Sequence, residues 1–125
     1  MASALPTQPA DQAFKQRVVL TKAVRRAAKR LGLTDAQLAA VLGVSPSTVS
    51  RLDDQPLSRD KALELARLLI RVYRSLIGVV GSDAAAEQWM RSKNHYLQGR
   101  PLDLVQRVEG LTETLRYLDA MRARV

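Results

Sequence analysis

The sequence predicts an all-α protein. Apolar residues recur at steps of three and four along most of the chain. No segment alternates apolar and polar residues between turn signals as a half-buried strand does, and serine, proline and glycine fall where helix starts and stops are expected. A chain of 125 residues has room for one medium domain or two small ones sharing a core, and no internal repeat is apparent.

Met1 to Ala10 holds two prolines among small and polar residues, the composition of a disordered tail over residues 1–10 with no expected function. From about Asp11 to Leu31 the chain is strongly helix-forming, with Gly32 as its stop. Val18, Val19, the stem of Lys22, Val24, Ala28 and Leu31 supply a core-facing stripe. The same helix carries the basic cluster Arg25, Arg26, Lys29 and Arg30, which reads either as a solvated face or as a secondary phosphate contact. A membrane-surface reading is weaker, because the stripe lacks Trp or Phe anchors.

The next stretch, Leu33 to Leu52, reads LTDAQLAAVLGVSPSTVSRL and holds two short helical patterns joined by a glycine. Thr34 with Gln37 three residues later is a capping box, so the first of these helices starts at Asp35. Counted from Asp35, Ala39 stands fifth, Gly43 ninth and Val49 fifteenth. Ala39 lets the helices approach closely, Gly43 supplies the positive φ of the turn, and Val49 packs the second helix on the first. Leu38, Leu42, Val44 and Leu52 fill the space between. Ser45 before Pro46 is an N-cap with proline at the first helical position, and this helix is expected over about Pro46 to Asp53. With its apolar positions turned inward, Ser47, Thr48, Ser50 and Arg51 are left to reach base edges or phosphates. The competing reading is an ordinary helical hairpin. The stretch resembles the Xre/Cro-type helix-turn-helix family, which implies DNA binding through Thr34, Gln37, Ser45, Ser47, Thr48, Ser50 and Arg51, on an inverted-repeat operator read by a homodimer.

Gln55-Pro56-Leu57-Ser58 is a connector ending in an N-cap, and a long helix is expected from about Arg59 to Val80. Its polar stripe is narrow: Asp60, Glu64, Arg67, Arg71 and Arg74 recur at steps of three and four, which leaves Leu63, Ala66, Leu69, Ile70, Val72, Tyr73, Leu76 and Ile77 across the rest of the surface. Such a helix is covered on more than one side, by the rest of the chain or by a second subunit. Residues 11–80 are therefore read as one DNA-binding unit with its linking helix.

Gly81-Ser82-Asp83 breaks that helix and caps the next, expected from Asp83 to about Ser92. A turn with Asn94 as its left-handed residue and Gly99 before a proline leads to a helix from Pro101 that ends near Gly110. The last helix follows with Leu111, Leu115, Leu118 and Met121 on one face. Trp89 reads as a core residue or as an interface anchor, and His95 and Tyr96 as turn residues with polar tips in water. The order Trp89, Asn94, Leu97, Gly99, Pro101, Leu102, Gly110 and Leu118 in AEQWMRSKNHYLQGRPLDLVQRVEGLTETLRYL is similar to the C-terminal domain of the MbcA/ParS/Xre antitoxins. That resemblance implies a small helical toxin-binding domain over residues 81–125, whose partner is a toxin with a RES domain that consumes NAD or transfers ADP-ribose from it. The expected toxin contacts are Trp89 and, from the resemblance together with the basic end of the last helix, Arg122, Arg124 and Val125, although the sequence departs from the family there, where many members carry a glycine-containing tail. A terminal arginine pair also simply complements the helix dipole.

Composition bounds the remaining classes. With 20 basic and 12 acidic residues the net charge is +8, which favours a polyanionic partner. The excess is even, +4 over residues 1–57 and +4 over residues 58–125, so part of it serves something other than DNA. There is no cysteine and one histidine, His95, so no thiolate or histidine-rich metal site is expected. No apolar run approaches the roughly 20 residues of a membrane span, and MASALPTQPA lacks the order of a signal peptide, so the expected location is the cytoplasm. Without a glycine-rich phosphate loop or a carboxylate pair in an evident pocket, no catalytic residue and no cofactor is expected. A stand-alone regulator of transcription is the alternative to an antitoxin.

Overall fold

The computed structural model describes residues 9–124, and within them helix dominates: α1 (Pro9–Leu31), α2 (Asp35–Leu42), α3 (Pro46–Ser50), α4 (Asp60–Val80), α5 (Asp83–Arg91), α6 (Pro101–Leu104) and α7 (Val108–Arg122). The tail expected over residues 1–10 lies outside the described residues except for Pro9 and Ala10, which form the first turn of α1.

Helix α4 is the axis of the molecule. Its polar stripe is exposed as expected, and its wide apolar surface is covered within the chain, by α1 and α2 on the N-terminal side and by α5 and α7 on the other. Leu69, Val72 and Leu76 are fully buried, and the two halves share one hydrophobic cluster running from Val24 to Leu118. Intramolecular packing thus accounts for most of the surface that the sequence left open to a second subunit. Side-chain bonds tie the layers together. Ser75 Oγ donates to Asp119 Oδ1 at 2.6 Å, and Arg71 stands 3.5 Å from the same carboxylate, joining α4 to α7. Arg30 donates to the Tyr73 hydroxyl, which donates to Asp83 Oδ1 at 2.6 Å, joining α1, α4 and α5.

In α1 the buried positions are Thr21, Val24, Ala27, Ala28 and Leu31, whereas Val19 is 66% exposed and Lys22 is exposed. The buried stripe is rotated from the expected one at its N-terminal end, because Thr21 takes a core position there. Thr21 is tolerated there because its hydroxyl is doubly satisfied: it donates to the Arg17 carbonyl at 2.6 Å and accepts the Leu57 amide at 3.0 Å, which pins the connector to α1. Replacing Thr21 by valine keeps the shape and orphans that buried amide. The urea midpoint of the Thr21→Val variant is expected to fall with m unchanged, by about 1–3 kcal/mol of stability.

Three other boundaries differ from the sequence reading. Helix α4 begins at Asp60 with Arg59 as its N-cap and no side-chain cap, so Ser58 does not cap it. In the turn before α6, the left-handed residue is Gln98, at φ 58°, and not Asn94. Asn94 instead accepts the Leu97 amide on Oδ1 and pairs its backbone with Gly99, closing the loop as a single bridge. Finally, the helix from Pro101 stops at Leu104, and Gly110 lies inside α7. A methyl group at Gly110 would overlap the Leu104 carbonyl oxygen and lie 2.7 Å from its carbon. Glycine is there for close backbone approach and not to end a helix.

Candidate functional site

The helix-turn-helix is built as its residues require. Thr34 Oγ1 accepts the Gln37 amide while Gln37 Oε1 accepts the Thr34 amide, at 3.1 and 2.8 Å, completing the capping box of α2. Gly43 at φ 68° closes α2 in the left-handed region, and Ala39, Val49 and Leu52 are buried where α2, α3 and the core meet. Ser45 Oγ accepts the Thr48 amide, and Pro46 opens α3. Helix α3 ends at Ser50, three residues before the expected Asp53, and the chain continues to Gln55 as tight turns with amides bonded back to Thr48, Val49 and Arg51.

The polar side chains of this unit divide by use. The Thr34 and Ser45 hydroxyls are occupied by caps, Ser50 Oγ donates to the Ser47 carbonyl, and Arg51 Nε donates to the same carbonyl at 3.2 Å. Ser47, Ser50 and Arg51 are exposed, Thr48 is half-buried, and the Gln37 side chain retains an amide NH2. Ser45, Thr48 and Arg51 line a cleft of about 300 Å³ that also includes Arg59, a residue the sequence reading treated only as a helix start. The basic cluster of α1 separates in two. Arg25 donates to the Val49 carbonyl at 2.7 Å and stands 3.8 Å from Asp53, holding the end of α3, and Arg30 is engaged with Tyr73 and Asp83. Arg26 and Lys29 remain exposed and line a concavity of about 760 Å³ beside Thr34 and Asp35, at the positive end of α2.

The C-terminal half presents a different chemistry. Trp89 is half-buried and stacks on Tyr117, ring centres 6.4 Å apart, and Tyr117 stacks on Tyr96 at 5.0 Å. Tyr96 is 74% exposed, so the ladder runs from the core into solvent. Its outer end borders a groove of about 440 Å³ together with Arg116, Met121 and Arg124. Arg122 lies on another flank of α7, its stem against Gly78 of α4, so the two terminal arginines do not converge. Val125 lies outside the described residues. At the start of α6, Arg100 donates twice to Asp103 at 3.0 Å, and that bonding holds the Asp103 carboxyl below the usual carboxylate range.

A family model described as the antitoxin Xre-like helix-turn-helix domain matches residues 3–71, and one described as the antitoxin Xre/MbcA/ParS C-terminal toxin-binding domain matches residues 75–124. The chain belongs to the Xre-type antitoxin family. The antitoxin is also similar to a chain in the crystal structure of the M. tuberculosis MbcT–MbcA toxin–antitoxin complex, with a TM-score of 0.65 and 31% identity over 86% of this chain and 96% of that one. A 52-residue stretch is 44% identical to the 6-hydroxy-3-succinoylpyridine 3-monooxygenase HspA of Pseudomonas putida (strain DSM 28022 / S16). That stretch covers 41% of the antitoxin and 17% of the monooxygenase, so the chain spans about a sixth of this curated relative.

The antitoxin's C-terminal half stacks two residues whose pairing the sequence did not signal: Tyr96, expected as a turn residue with its polar tip in water, and Tyr117, which had no expected role. Their stacking joins a loop to a helix 21 positions away, and no periodic pattern signals it. Among the described residues no group of three or more acidic or histidine side chains is placed to hold a metal ion, and no helix is long and apolar enough to cross a membrane.

Proposed function

We propose that this antitoxin neutralises a RES-domain toxin that consumes NAD or transfers ADP-ribose from it, and that as a homodimer it represses its own operon from an inverted-repeat operator. It acts in the cytoplasm by binding alone, without catalytic residues or cofactor. The observation that carries the reading is the coexistence in one core of a fully capped helix-turn-helix and, on the toxin-binding half, an aromatic ladder that ends in solvent. An exposed tyrosine stacked on a half-buried tyrosine and tryptophan presents the residue types that anchor protein interfaces, since they bury much area while losing little rotamer freedom. Arg124 on the rim of the same groove offers a guanidinium to the toxin's pyrophosphate pocket, where paired N–H groups match phosphate oxygens. Arg122, braced against Gly78, and Val125 are the further toxin contacts.

Operator reading falls to Ser47, Thr48, Ser50 and Arg51, with Thr34, Gln37 and Ser45 holding the two helix starts in position. Arg26 and Lys29 supply phosphate contacts beside them.

Two variants divide the toxin contacts. Deleting Arg122 to Val125 is expected to leave operator binding intact while relieving inhibition of the toxin's NAD consumption. The Tyr96→Ala change, at a 74% exposed position, is expected to weaken the toxin complex by about 2 kcal/mol, the size of an interface hot spot. Both are read by titrating NAD turnover of the toxin. Full inhibition by both variants would remove this surface from the mechanism. A chain that binds its operator and no toxin at all is a stand-alone regulator.

A further inference from the structure

Helices α1 and α4 flank a groove of about 600 Å³ that shares no lining residue with the cleft beside α3 or with the groove of the aromatic ladder. Its floor is apolar: Val19 is 66% exposed, Leu20 and Ala23 are half-buried, and Ile70 retains 8% exposure. Its rim is cationic, with Lys15 on the α1 side and Arg67, Arg71 and Arg74 on the α4 side. Of these, Arg71 is paired with Asp119 across the helix interface, and the other three have no acidic partner among the described residues.

We propose that this groove is a docking site for an acidic amphipathic helix of a protein partner. The dimensions suit one: from Lys15 to Ala23 the groove wall rises about 12 Å, and two turns of a docked helix span about 11 Å. An apolar stripe at i, i+3, i+4 and i+7 fills the floor, and flanking Asp or Glu side chains meet the rim. The charge excludes a second copy of this chain as the favoured occupant. Helix α1 carries Asp11 against seven basic residues, and the exposed stripe of α4 is basic beyond Glu64, so a symmetric copy would set cation against cation. Nucleic acid matches the rim and leaves the floor uncovered, because a sugar–phosphate backbone offers no apolar stripe.

The test uses the full chain and a dye-labelled 15-residue helical peptide with leucines at i, i+3, i+4 and i+7 flanked by glutamates. Fluorescence anisotropy is expected to give a roughly micromolar Kd that weakens as salt rises. The double reversal Arg67→Glu with Arg74→Glu is expected to weaken binding roughly tenfold or more, and Val19→Asp to do the same by charging the floor. These positions are exposed, so circular dichroism should be unchanged; if either variant loses its helical signal, Lys15→Glu replaces it. The control is Lys93→Glu with Arg107→Glu, an equal change in net charge at exposed sites elsewhere. Equal weakening by control and groove variants would mean that net charge alone binds the peptide and would overturn the proposal. So would binding that survives the groove reversals, displacement of the peptide by phosphatidylglycerol vesicles, or a dimer mass that falls to monomer in Val19→Asp.

Discussion

The Gly110→Ala variant is expected to lose about 3 kcal/mol of stability and about 10 °C in Tm. Alanine favours a helix interior over glycine by about 1 kcal/mol, so propensity alone predicts the opposite sign. The clash decides. The new methyl would overlap the Leu104 carbonyl oxygen, and this backbone is fixed on both sides: the same oxygen accepts the Arg107 amide at 3.2 Å, and the Leu104 side chain packs against Gly99. Neither can yield without opening the α6–α7 corner, which sets the position of α7 and with it Tyr117. Toxin binding is therefore expected to fall with stability. Gly81→Ala is the matched comparison, since Gly81 has φ 87° and open space where a Cβ would stand. It carries the left-handed strain only, about 1–2 kcal/mol. Thermal unfolding of both variants checks the argument, and a Gly110→Ala midpoint equal to or above wild type would refute it.

The triple variant Ser47→Ala, Thr48→Ala and Arg51→Ala is expected to lose operator affinity by about 100-fold, since a bidentate base contact from Arg51 is worth about 1–3 kcal/mol and the two hydroxyls add single contacts. Folding should survive because Ser45, whose hydroxyl caps α3, and Pro46 are retained, and alanine is a good helix former. Arg26→Gln with Lys29→Gln should behave differently. Those residues flank the α2 N-terminus and are expected to contact phosphate, so affinity should fall on every sequence, with the salt slope reduced by about 2. Gel-shift titrations at several salt concentrations, with the operator and an unrelated duplex, separate the two effects. Undiminished operator affinity in the triple variant would remove α3 from recognition.

The helix-turn-helix was legible because each device in it is local. The capping box of Thr34 and Gln37, the left-handed Gly43 and the Ser45-Pro46 start depend on residues at most three apart, and each appears in the structure as read. The α4 stripe was legible for the same reason, since one helix's periodicity fixes which of its residues face out. Where a residue's role depends on a partner far along the chain, local pattern fails. Thr21 looked polar and is core, because the Leu57 amide 36 positions away satisfies it. Gly110 looked like a stop and is a point of close approach to Leu104.

The sequence by itself determined the helix content, the starts of most helices, the outward polar residues of α3 and the resemblance that led to the antitoxin family, because short-range hydrogen bonding and periodicity are encoded within a few residues. Tertiary structure alone decided how the cations and aromatics are used. It engaged Arg25 with the end of α3 and Arg30 with Tyr73 and Asp83 while leaving Arg26 and Lys29 exposed, set Arg122 and Arg124 on different flanks of α7, stacked Trp89, Tyr117 and Tyr96, and opened a cation-rimmed groove between α1 and α4. Long side chains take their partners from whatever the fold brings within a few ångströms, and that neighbourhood is set by helix packing around α4, which no single segment specifies.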